Sequence, residues 1–149
     1  MRHSAGGYAQ GIRPLRKNQK PEIVMDPQLK ADIAAKGVRF LLCSFVELAG
    51  TPKAKLVPIT HIEDTARDGA GFAGFAAGDL NQGPADTDIC SVPDFRGLTV
   101  LPWKQDVAWV PGNLHVNGTP WPFCPRTTLC RNLDALRQRG LTLNTGVEP

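Results

Sequence analysis

The sequence has one tyrosine, two methionines and three histidines in 149 residues, and aromatic residues make up 7% of it. Its four cysteines, Cys43, Cys90, Cys124 and Cys130, form no C-x-x-C pair. With so few histidines, a zinc site lacks its usual ligand spacing, and the expectation is four reduced, buried thiols. A P-loop is absent: GFAGFAAG has no Gly-Lys-Ser/Thr end and misses the G-x-G-x-x-G spacing. No nucleophile triad is visible. Residues 1–24 hold no apolar run long enough for a signal-peptide core or a membrane span, so the expected location is the cytoplasm, with no membrane partner.

A strongly basic body is also lacking, although the formal net charge is +3. Residues 1–24 carry five basic residues against Glu22 alone, whereas the remainder carries twelve against thirteen acids. The basic pI therefore belongs to a tail. Its low hydrophobicity predicts a disordered, inert segment. A nucleic-acid-binding arm is the alternative reading of that tail, and the expectation is no nucleic-acid partner.

What is present reads as one soluble domain and the beginning of another. Asp26 and Pro27 open a helix over Met25–Gly37 with Leu29, Ile33 and Ala34 on one face. VRFLLCSFVE predicts a central strand over Val38–Glu47, and Ala54–Ile59 returns beside it as a hairpin. Thr60 and Glu63 stand in capping-box spacing before a two-turn helix ending at Gly69. Three short strands are expected at Gly97–Leu101, Val107–Val110 and Leu114–Val116, and Asn117-Gly118 marks a type I′ turn. Pro125–Arg139 has leucines at helical spacing, and Leu141–Thr145 reads as a further strand. The class is α+β: a small mixed sheet with packed helices.

Between the strand regions lies GFAGFAAGDLNQGPADTDICSVPD, residues 71–94, without Lys or Arg. Phe72 and Phe75 are costly to leave in water, so they should pack on something, another subunit included. Asp86 and Asp88 either bond loop backbone or face a cation. His61 and His115 read as surface or unpartnered residues, and Trp103, Trp109 and Trp121 as the core of the sheet. Glu148 in the final GVEP is a carboxylate suited to magnesium or manganese, although one carboxylate makes no site. From residues alone this is a binding or assembly domain joined to the start of another.

The order of these motifs adds to that reading. VRFLLCSFVELAGTPKAKLVPI, FAGFA, TDICSVPD, LPW, WPFCPRTTLCRNLDAL and GVEP resemble, over residues 25–149, the N-terminal part of glutamine synthetases. The resemblance is nearest the branch that includes γ-glutamyl-alkylamide synthetases. It implies a β-grasp-like domain over 25–122 and, over 123–149, the first helix and strand of a truncated catalytic domain. In that family ATP phosphorylates the γ-carboxylate of L-glutamate, and ammonia or a small amine displaces the phosphate, with two Mg2+ or Mn2+ ions spreading the charge. Like subunits form a ring-shaped homo-oligomer, and a loop matching Phe72, Ala73, Gly74, Phe75 and Ala76 reaches a neighbouring subunit's active site.

The same resemblance assigns individual positions. Ala73 stands where many members carry the Asp of F-D-G-S-S, which helps hold ammonium. Asp88 matches the Asp of S-D-M after a one-residue length difference. Arg126 matches the Arg of a D-P-R helix start in which Cys124 replaces the acid. Glu148 matches the first of two Glu metal ligands, the second falling after Pro149. The chain is thus expected to be a fragment of a glutamate–ammonia or glutamate–amine ligase, inactive alone and binding neither ATP nor metal tightly. A non-catalytic assembly module or gene remnant is the rival reading.

Overall fold

A computed structural model describes residues 26–77 and 82–148; the expected tail over 1–24 lies outside the described residues. Helix α1 (Pro27–Ala35) starts as its sequence dictates, with the Asp26 carboxylate accepting from the Gln28 N–H at 2.9 Å and Pro27 at the first position. Ile33, 2% exposed, is the residue it buries.

Strand β1 (Phe40–Val46) runs next, with Leu41, Cys43 and Phe45 on its core face. It pairs antiparallel with β2 (Pro52–Pro58), and Glu47 closes the hairpin by accepting from the Ala49 N–H at 2.9 Å and the Thr51 N–H at 2.8 Å. Those donors hold its carboxyl below the usual carboxylate range.

A 3-10 turn at Ile59–His61 leads into α2 (Ile62–Asp68). The expected Thr60–Glu63 capping box does not form. The 3-10 turn places His61 at the cap position without a side-chain bond, and Glu63 pairs instead with Lys30 of α1.

The remaining strands are β3 (Ala70–Phe72), β4 (Ile89–Pro93), β5 (Thr99–Leu101), β6 (Lys104–Val116) and β7 (Thr119–Pro120), followed by α3 (Pro125–Arg137). The sheet order is β2-β1-β6-β4-β3, with β5 and β7 also on β6. The β1–β6 pairing is parallel and the others are antiparallel, so the sheet is mixed. Asn117 (φ 52°) and Gly118 (φ 73°) make the expected hairpin turn into β7. Among the described residues no helix is long and apolar enough to cross a membrane.

Three expectations are corrected. The two strands foreseen within 107–116 are one strand of 13 residues, β6, which runs on through Pro111-Gly112. Pro111 sits where β6 changes partners, from β1 over 107–111 to β4 over 112–116, and its carbonyl accepts from the Asp94 N–H at 2.7 Å. The tryptophans do not build the core: Trp103 is 81% exposed, Trp109 is at the surface, and Trp121 packs only at the margin of a cluster around Phe45, Ile89 and Leu114. No strand forms over Leu141–Thr145, because residues 141–148 have no ladder partner among the described residues, and Leu141 and Leu143 remain exposed.

Gly112 is the point on which β6 turns from one partner to the next. A Cβ there would lie 1.9 Å from Ser91 Oγ and 3.3 Å from the Ser44 carbonyl oxygen. The space is already used: fully buried Ser91 donates from Oγ to that same carbonyl at 3.4 Å, linking β4 to β1. Gly112→Ala should therefore lower the urea midpoint by an amount worth about 1–3 kcal/mol, the usual cost of overpacking. An unchanged midpoint would show that Ser91 yields freely.

Candidate functional site

The site begins where β3 ends. Phe72, the last residue of β3, meets Phe45 edge-on with ring centroids 4.9 Å apart, and Phe45 is itself 4% exposed. An aromatic pair of this geometry is worth about 0.5–1.5 kcal/mol beyond its buried area, so Phe72 is a fixed base rather than a free loop residue. The stretch from Gly71 thus starts in a ladder: Gly71 faces Cys90 and Phe72 faces Ile89 of β4.

Ala73 follows, and Gly74–Ala77 form a 3-10 turn that includes Ala76. Gly74 is buried against the Gln82 side chain, whose Oε1 would sit 2.6 Å from a Cβ at position 74. That oxygen is buried without a hydrogen-bond partner among the described residues. Phe75 turns outward, 52% exposed. A segment anchored at Phe72 and Gly74 therefore presents one aromatic ring outward.

Asp88 comes to the base of this segment. It precedes β4 and is exposed, with Oδ2 4.0 Å from the Cβ position of Gly71. Asp86 is used locally: its Oδ2 accepts from the Gly83 N–H at 2.6 Å and its own N–H donates to the Gly83 carbonyl at 3.1 Å. Phe72, Ala73, Gly74, Phe75 and Ala76 offer no ionisable group, and among the described residues the Asp88 carboxylate lies at the foot of the segment.

Lys55 was missed in the sequence. Its ammonium donates to the Gly71 carbonyl and lies 5.1 Å from the Phe72 ring centroid. The only sequence signal is a lysine at a position whose alternation in β2 points to the core.

The CPR segment builds a second cluster at the start of α3. Cys124, 1% exposed, caps the helix: its Sγ accepts from the Thr127 N–H and the Leu114 N–H, each at 3.4 Å. Arg126 donates to Asn113 Oδ1 and Asp94 Oδ2, each at 2.8 Å. Asp94 also receives both Nε and Nη2 of Arg96 at 2.8 Å. Arg96 and then Arg126 hold the Asp94 carboxyl well below the usual carboxylate range, against the opposing effect of burial. Beside this network lies a largely apolar cavity of about 340 Å3, lined in part by Phe45, Val46, Trp109 and Leu129. Arg126 is thus engaged in holding α3 to the sheet.

The other sequence candidates stand apart. Glu148 is exposed within 141–148, and no group of three metal-ligating side chains occurs among the described residues. One carboxylate does not satisfy an octahedral magnesium ion, so the described residues do not by themselves fit a metal. His61 is exposed near Asp64. His115 sits opposite Cys90 on β4, and burial holds its imidazole below the ordinary value. Cys43 is buried as expected, and its thiol is pushed up to about 11 by that burial. Cys90 and Cys130 are half-buried.

No family model matches the chain. A glutamine synthetase of Rhizobium leguminosarum bv. phaseoli is 42% identical over 122 residues, 79% of this chain and 28% of that protein. A glutamate–methylamine ligase of Methyloversatilis universalis is 36% identical over 113 residues, 75% of this chain and 26% of that protein. A solved structure described as a GmaS/ADP complex superposes with a TM-score of 0.69 at 44% identity, over 74% of this chain and 26% of that one. The chain spans about a quarter of the length of the curated relatives it matches. The mixed sheet with its helices agrees with a β-grasp-like N-terminal domain.

The Asp94 carboxyl, held first by Arg96 and then by Arg126, sets a pH dependence with a definite sign. The folded carboxyl stays charged where an unfolded Asp takes up a proton, near pH 4. Its contribution is therefore complete above about pH 4 and drains as pH falls from there toward the lowered folded value. Below about pH 4 the unfolding midpoint should fall as the pH is lowered further, and Asp94→Asn should lower the midpoint above about pH 4 while flattening that slope. An identical slope in Asp94→Asn would assign the acid sensitivity to other carboxylates, Glu47 first.

Proposed function

The chain belongs to the glutamine synthetase family as an N-terminal region of it, and from that premise we propose that it serves an ATP-dependent ligase joining the γ-carboxylate of glutamate to ammonia or a small amine. Residues 25–122 form the β-grasp-like domain, and 123–149 begin the catalytic domain. Phe72, Ala73, Gly74, Phe75 and Ala76, with Asp88 at their base, are offered to the active site of a neighbouring like subunit in a ring. Glu148 is one of several carboxylates that would hold Mg2+ or Mn2+, the rest lying outside the described residues.

The observation that carries this reading is the identity to both a glutamine synthetase and a glutamate–methylamine ligase, together with an outward, uncharged segment anchored at Phe72 and Gly74. An ammonium ion is desolvated favourably only where a carboxylate or several carbonyls replace its water. Ala73 removes that carboxylate and leaves room, and Phe75 adds apolar surface. Such a wall suits an amine bearing an alkyl group better than ammonia.

Turnover of the longer protein with ammonia and with methylamine tests the selection. Methylamine should be the better acceptor, and Ala73→Asp should move the ratio toward ammonia by roughly tenfold, as one added charge interaction of about 1.4 kcal/mol would. A wide preference for ammonia, or a ratio unmoved by the substitution, would remove the acceptor role from this segment. In the same protein Glu148→Ala should weaken manganese binding, and an unchanged affinity would take Glu148 out of the metal site.

The 149-residue chain on its own should release no phosphate from ATP in response to glutamate. Transition-state stabilisation requires phosphate-binding groups and metal ligands together, and no group of three metal-ligating side chains occurs among the described residues. Glutamate-dependent phosphate release above a blank would refute this.

A further inference from the structure

We infer that Lys55 is the positioning residue of the 72–77 segment, a clamp that ties the two open edges of the sheet together at the point where that segment begins. The sheet runs β2-β1-β6-β4-β3, so β2 and β3 are its two ends along that path. Directly opposite residues of an antiparallel pair share a face. Lys53, Lys55 and Val57 stand opposite Phe45, Cys43 and Leu41, all three of which are core residues 4% exposed or less. Val57 accordingly packs on the core. By the same alternation Lys55 starts from that face, but it stays exposed at the sheet edge, with its ammonium reaching β3.

No carboxylate pairs with Lys55 among the described residues. Its ammonium donates instead to the Gly71 carbonyl in β3 and sits 5.1 Å from the centre of the Phe72 ring. One side chain thereby holds the backbone and the aromatic ring of successive residues immediately before Ala73. Phe45 closes the arrangement from the other side, edge-on to the same ring. Phe72 is thus held between a cation from one edge strand and an aromatic ring of the neighbouring central strand. The direction in which Ala73 and Phe75 leave β3 follows from that grip.

Inward lysines on edge strands also discourage edge-to-edge association. That role would not require a bond to one chosen carbonyl, and it is read out by self-association. The clamp is read out by local opening of 72–77.

Hydrogen–deuterium exchange of the full 149-residue chain separates the two. In Lys55→Met, exchange over residues 72–77 should accelerate on the order of tenfold, as loss of a charged hydrogen bond at a strand end permits. Exchange in β1 and β6 should stay near wild type. Lys55→Arg, which keeps a donor and a cation over the ring, should restore most of the protection. Unchanged exchange at 72–77, an increase spread equally over the sheet, or no rescue by arginine would overturn the clamp.

The consequence for catalysis rests on the acceptor role proposed above for this segment. In the longer protein Lys55→Met should raise KM for the amine several-fold with kcat nearly kept. If exchange at 72–77 rises while that KM does not, the clamp stands and the acceptor role of the segment fails.

Discussion

Every other strand but β2 and β3 pairs directly with β6, and the change from β1 to β4 along it is tight enough to leave no room for a side chain at Gly112. Over 107–111 the strand lies beside β1, and over 112–116 beside β4. At the change of partner, Ser91 of β4 occupies the volume a Cβ would take and reaches the Ser44 carbonyl of β1. The adjoining Pro111 lends its carbonyl to the Asp94 N–H. That bond places Asp94 where Arg126 can meet it, and so fixes where α3 leaves the sheet. The register of β4 on β6 also sets the register of β3 on β4, which carries Phe72 to Phe45.

Features written in local chemistry were legible in the sequence. Asp26-Pro27 announced α1, Asn117-Gly118 announced the β6–β7 turn, and Pro125 with its spaced leucines announced α3. Features decided by distant partners were not. Pro111-Gly112 reads locally as a break, yet β6 continues because pairing resumes with β4 on the far side. Tryptophan reads as core, but Trp103 lies in the tight turn between β5 and β6, 81% exposed. Leu141–Thr145 has strand composition, and a strand is a pairing that composition alone does not supply. The Thr60–Glu63 box lost to a salt bridge with Lys30, 33 positions away.

The candidate site was legible as a set of residues and illegible as a geometry. Motif order led to Phe72 through Ala76 and to Asp88, and the structure brings Asp88 to the base of that segment. Alternation in β2 puts Lys55 in register with Cys43 of the core, but Lys55 is exposed and pattern alone does not call for an acceptor. Which acceptor it finds depends on β2 and β3, strands at opposite ends of the sheet order, approaching each other across the inner face. That proximity is a property of the whole sheet and not of β2 alone.

Two positions at which the chain departs from the pattern it resembles are of different physical kinds. Cys124 replaces an acid at a helix start, yet its sulfur still accepts from the Thr127 and Leu114 N–H groups. The thiol is a weak acceptor, but it is buried at 1% exposure, where an ionised carboxylate would bear a large desolvation cost. The capping role therefore survives the change. Ala73 stands where that pattern has an acid and carries no polar atom beyond the backbone, so its own side chain does not take over the charge. A substitution that conserves its hydrogen bonds changes stability by little, whereas one that deletes a charge from a binding surface changes what that surface attracts. The proposed selectivity therefore rests on position 73, and the CPR segment is left to hold α3 on the sheet.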